Sequence, residues 1–138
     1  MTSIAKLLSL VLILMVSCHA ESQTDAQLTQ RCLDTFDKIN ANDIDWFLAQ
    51  MPLTPSKAQK KQATRVLQRA HDKLRNHPPK SIGVKQVSYK APSKAKQEQF
   101  GATNEARVKL LIESEKRRSH TSCKFLKTDK GWFLSSLP

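Results

Sequence analysis

Apolar and polar residues alternate with a period of two across the last third of the chain. Val108, Leu110 and Ile112 alternate with Lys109 and Glu113, the pattern of a strand with one buried face. Thr121 to Lys127 and Trp132 to Leu137 read as two more strands. Between them lies Thr128-Asp129-Lys130-Gly131, where Gly131 tolerates the positive φ of a type I turn with a following bulge. Glu115 to Ser119 makes the turn before them. Upstream, Ser81 to Lys90 reads as the first strand of the sheet. Ile82 and Val84 fall in one phase and Val87 and Tyr89 in the other, which predicts a bulge near Lys85-Gln86. Residues 91–104 carry little apolar signal and are expected to form a long exposed connection. A register pairing Leu126 with Leu134 and Thr128 with Trp132 puts Cys123, Phe125 and Phe133 on the opposite face. Both faces are then partly apolar. One must meet the helices; the other is a dimer or partner surface, unless a bulge switches the phase.

The first half of the chain shows the helical period instead. Thr24-Asp25-Ala26-Gln27 has the form of a capping box. Leu28, Cys32, Phe36 and Ile39 then share a narrow arc, with Leu33 at its margin, and Asn40 is expected to end this helix in the left-handed region. A short second helix follows, with Asn42 as its cap and Ile44, Phe47, Leu48 and Met51 as its apolar stripe. Trp46 sits beside that stripe, either lining a pocket or covering the core edge. Pro52 breaks the helix. Thr54 as cap and Pro55 at the first helical position predict a third helix running to about Asn76. Its seam is Ala63, Val66, Leu67, Ala70 and Leu74. Lys57, Lys61, Arg65, Arg69 and Lys73 recur every four residues on the other side. Like charges at that spacing repel weakly, and two readings follow: a solvated face that aids solubility, or a contact surface for an anionic partner.

Charge sharpens the picture. Residues 21–54 carry a net −4 and residues 55–138 a net +14, within a total of +11. A basic body of this kind is drawn to anionic lipid, lipopolysaccharide or an acidic protein. Nucleic acid is not expected, because the basic row lacks interleaved aromatics and the chain carries an export leader.

That leader is the apolar run Leu7 to Val16, of signal-peptide length and short of the roughly 20 residues of a membrane span. Residues 1–17 are assigned to the signal peptide, 18–24 to a tether and 25–138 to a single domain. Met15-Val16-Ser17-Cys18 resembles a bacterial lipobox, with Met in place of the usual Leu, and makes Cys18 the candidate lipidation site. Cys18-His19-Ala20 also fits ordinary cleavage after a small residue. The first route gives an anchor in the cell envelope facing the periplasm, with His19 pointing to the outer membrane; the second gives a soluble periplasmic or secreted protein. Either removes Cys18 from the three thiols, and leaves Cys32 and Cys123 as a candidate disulfide in an oxidising compartment, or as two buried thiols.

Phe36 to Asp43, the Trp46-Phe47 pair, the Ala106 to Leu110 strand and the ending Phe125 to Leu134 together resemble the nuclear-transport-factor-2-like (cystatin-like) superfamily. The likeness is to its small bacterial lipoproteins and covers about residues 25–137. It implies an α+β fold in which three N-terminal helices pack on a curved four-stranded antiparallel sheet that leaves a cone-shaped pocket. Trp46, Phe47, Tyr89, Phe125 and Trp132 are the residues expected to line it. A shared fold does not confer function.

Catalysis finds little support. His71 is expected to face solvent, His77 lies in a Pro-rich turn and His120 near a hairpin mouth. Glu113 and Glu115 are out of phase with the inward strand residues, so no positioned acid–base pair emerges. No catalytic residue, metal site or cofactor is assigned, and no zinc, phosphate-loop or nucleophile-elbow motif is present. The expectation is a non-enzymatic envelope binding module for an anionic or amphipathic component or a partner protein. A periplasmic immunity protein that caps a toxin, and a soluble secreted binder of small molecules, are the alternatives.

Overall fold

The computed structural model describes residues 24–138. The leader, Cys18 and the tether as far as residue 23 lie outside the described residues. The chain is an α+β protein with an open, four-stranded antiparallel sheet in the order β1-β2-β3-β4. A helix over residues 24–40 (α1), a short helix Ile44–Ala49 (α2) and the long helix Lys57–Asn76 (α3) precede the sheet. The strands are Pro79–Lys90 (β1), Asn104–Ser114 (β2), Arg118–Thr128 (β3) and Gly131–Ser136 (β4). A fourth helix, Lys94–Phe100 (α4), links β1 to β2. No helix among the described residues is long and apolar enough to cross a membrane.

The core is the α1 stripe laid on one face of the sheet. Leu28, Cys32, Phe36 and Ile39 are buried with Ala106, Val108, Leu110, Cys123, Phe125 and Leu134, and Leu33 packs at the margin. Cross-strand register explains the selection. Val87 pairs with Val108 and Val108 with Cys123, while Ala106 lies between Tyr89 and Phe125. Directly paired residues share a face, so these side chains form rows beneath α1. The register shifts between Val84 and Gln86, at the expected bulge. Across the core, the Sγ atoms of Cys32 and Cys123 are 2.08 Å apart and form a disulfide, with their Cα atoms 5.7 Å apart.

The β3–β4 register differs from the expected one. Thr128 pairs with Gly131 and Leu126 with Phe133, not with Trp132 and Leu134. The loop is only Asp129-Lys130, with Gly131 at φ 118°. A one-residue slip moves every side chain of a strand to the other face. Leu134 and Trp132 therefore join Phe125 on the helix face, and Phe133 joins Leu126 outside. A further shift follows Phe125, because Lys124 pairs with Ser136 and Ser135 bulges out.

The connection expected to be exposed is α4, and it lies over one end of the outer face. Ser93 caps it by accepting from the Lys96 N–H, and Gly101 ends it in the left-handed region at φ 65°. Lys96 reaches back to Glu105, which pairs with Leu126 on the outer face. Thr103 N–H donates to the Lys127 carbonyl at 2.8 Å. Leu126, Thr128, Glu105 and Ala102 are buried as a result.

The helix ends also shift. Thr24 already lies in the helix, and α1 continues through Asn40; the left-handed residue is Asn42, at φ 51°. Asp43 rather than Asn42 caps α2, because its carboxylate accepts from the Trp46 N–H. Ser56 rather than Thr54 caps α3. Ser56 and Gln59 exchange side-chain and backbone bonds in a capping box, which satisfies two end N–H groups where Thr54-Pro55 would satisfy one.

Candidate functional site

The helix-side apolar surface is not fully covered. α3 carries a five-member seam, yet only Leu67 is buried, and Val66 remains 40% exposed. The uncovered strip faces a groove of about 480 Å³ between the end of α2, α3 and β4. Phe47, Met51, Ala63, Val66, Leu67, Leu134 and Leu137 form its apolar wall, with Gln59, Gln62 and two serines as polar members. The size falls within the roughly 300–1,000 Å³ of small-molecule sites, which are mostly apolar with a few polar groups.

No member of the basic row lines this groove. Steps of four residues advance 400° around a helix, so an i,i+4 row turns by about 40° per step. Lys57 and Lys61 therefore point away from the groove face. Arg65 and Arg69 each lie about one turn beyond a groove residue, Gln62 and Val66 respectively, without lining the groove, and Lys73 lines a separate cavity. All five are exposed, and none forms an ion pair among the described residues. Asp72 accepts from Gln68 rather than pairing with Arg69 or Arg75.

The five aromatic residues expected to line a pocket are spread over three places. Phe47 is on the groove wall, and Trp46 meets it edge-on at 4.9 Å, with the Lys38 ammonium 6.0 Å from the Trp46 ring. Phe125 is 1% exposed, deep in the core. Tyr89 and Trp132 come from the two edge strands, and their rings lie 6.0 Å apart. The Tyr89 hydroxyl also donates to Asp25 of α1.

Arg31, which carries no periodic signal, organises this region. Its guanidinium lies 5.2 Å over the Phe125 ring, donates to the Trp132 carbonyl at 2.8 Å and to Gln50 Oε1 at 2.7 Å. Burial lowers its pKa from the ordinary value. It thereby ties α1 to β4 and to the chain after α2. Only its position one residue before Cys32 hinted at this role.

The histidines divide. His71 does not face solvent: its Nδ1 is 2.9 Å from the Ile39 carbonyl, which joins α3 to α1. His77 and His120 line one cavity of about 170 Å³ with Lys73 and Arg117, and no Asp or Glu side chain lines it. Among the described residues, no group of three or more His, Cys, Asp or Glu is arranged to hold a metal ion. Compared with family models, with curated proteins and with solved structures, the chain matches none.

Proposed function

We propose that this protein is an exported bacterial envelope lipoprotein, of cystatin-like architecture, that binds an anionic amphipathic component without transforming it. The apolar part of the ligand lies in the α3–β4 groove and its anionic end meets Arg65 and Arg69. The observation that carries this reading is an open apolar groove on the same helix as exposed, unpaired cations, two of which, Arg65 and Arg69, each follow a groove residue, Gln62 and Val66, by three positions. Apolar surface supplies affinity at roughly 25 cal/mol per Å² buried, and the cations supply orientation and approach. The lean of Tyr89 toward Trp132 across four strands supports the cone-like curvature that the architecture requires. The lipobox-like leader supports the anchor, which the intact mass of detergent-extracted protein tests directly: an acylated chain starting at Cys18 is expected, and an unmodified chain starting at Glu21 would remove the anchor.

The binding reading is tested by co-sedimentation with phosphatidylglycerol vesicles, with phosphatidylcholine vesicles as control. Arg65→Glu with Arg69→Glu should weaken binding far more than Lys57→Glu with Lys61→Glu, although both remove the same charge. Equal losses would reduce the row to general attraction and sink the groove assignment.

A further inference from the structure

The outer face of the sheet carries a second cationic feature, which meets the groove only at Ser136 and is independent of the reading above. Register sets four residues in one row across it: Ser88 pairs with Arg107, Arg107 with Lys124, and Lys124 with Ser136. Like charges directly opposite each other on adjacent strands destabilise a sheet. Arg107 and Lys124 occupy such a pair, and neither forms an ion pair among the described residues. The adjacent acid does not relieve them, because Glu105 is held by Lys96 from α4 and by Lys90 at 3.5 Å.

These groups border a cavity of about 190 Å³ whose polar lining is Ser88, Lys90, Lys96, Glu105, Arg107 and Lys124, with Tyr89 and Ala106 completing it. Four cations against one carboxylate leave an excess of positive charge in a small, partly walled space. Its volume is below the roughly 300 Å³ at which drug-sized sites begin, so a compact ligand fits and an acyl chain does not. Arg107 offers the planar fork that grips phosphate through two parallel hydrogen bonds, Lys124 a point charge and Ser88 a hydroxyl. We propose that this cavity is a binding site for a phosphate group, with Arg107 and Lys124 as its principal ligands. The phosphate lies between the two cations and replaces their repulsion with shared attraction.

The test is the thermal midpoint of the purified protein with and without about 10 mM inorganic phosphate, at ionic strength matched with sodium chloride. For a millimolar site, mass action and the usual scaling give a rise of roughly 5 °C. Arg107→Gln with Lys124→Gln should abolish the phosphate-dependent rise. Without phosphate, the variant should melt at or above the wild-type temperature, because the repulsion is gone. A rise no greater than that given by chloride, or the same rise in the variant, would overturn the assignment. Phosphatidic acid vesicles distinguish the source. Binding that inorganic phosphate competes away, and that the variant loses, identifies a lipid headgroup; a thermal rise without vesicle binding identifies a free phosphate ester.

Discussion

Reduction of the Cys32–Cys123 disulfide should remove a large share of the protein's stability. The two residues are 91 apart in sequence. Closing a loop of that length in the unfolded chain lowers its entropy by about 15.5 cal/mol/K, or about 4.6 kcal/mol at 25 °C. Small domains have only about 5–15 kcal/mol in total. The loss corresponds to a fall of roughly 15–25 °C in thermal midpoint for a chain of this size. Reduction isolates this contribution better than substitution, because the thiols stay in the core, whereas alanines would add cavity costs. Both cysteines are 0% exposed, so reductant acts only after unfolding. The assay is therefore a guanidinium titration of protein refolded from denaturant with or without excess phosphine reductant, read by far-UV circular dichroism. Two curves separated by less than about 1 kcal/mol would refute the argument that the cross-link restrains a long, otherwise open loop. Native protein that loses the disulfide faster than it unfolds would refute the burial argument.

Two further outcomes follow from α4. Gly101→Ala should cost about 1 kcal/mol by denaturant titration, since a Cβ there meets nothing within 4 Å and only the left-handed backbone at φ 65° resists it; a cost near 3 kcal/mol would mean that hidden packing contributes. Burial alone would raise the pKa of Glu105, but the hydrogen bond and charge of Lys96, with Lys90, outweigh it and hold the carboxyl below its usual range. A depressed carboxyl stabilises the fold above its unfolded pKa of about 4.3 and ceases to do so as pH falls through the lower folded value. Glu105→Gln should therefore lose about 1–2 kcal/mol at pH 7 and converge on wild type as pH falls through the lowered folded value; a difference that stays constant as the pH is lowered would refute the electrostatic cause.

What the sequence disclosed follows the strength of the local signal. The α1 stripe was legible because each of its four apolar residues meets the same sheet face, so period and burial coincide. The disulfide was legible because Cys32 lies on that stripe and Cys123 on a core strand. The bulge after Val84 was legible as a phase change in one strand. α4 was not, because Lys94 to Phe100 has no apolar stripe; its signals were the Ser93 cap and Gly101, both of which also fit a loop. The β3–β4 register was not, because alternation is equally satisfied by either of two pairings. The two-residue loop and the Ser135 bulge choose between them, and both are backbone properties. The groove was the least legible. Val66 and Leu67 read as the same seam, and only the placement of α3 leaves one open and the other sealed.

The most direct test of the groove is a calorimetric titration of the protein with laurate below its critical micelle concentration, beside the neutral monoglyceride of the same chain. Burying roughly eight methylenes at about 0.8 kcal/mol each gives about 6 kcal/mol, or a Kd on the order of tens of micromolar, before any contribution from the rim. Laurate should bind one to one and more tightly than the monoglyceride, and Arg65→Glu with Arg69→Glu should weaken it by roughly 5- to 30-fold while leaving the monoglyceride unchanged. No saturable binding of either, or equal laurate affinity in wild type and variant, would contradict the account.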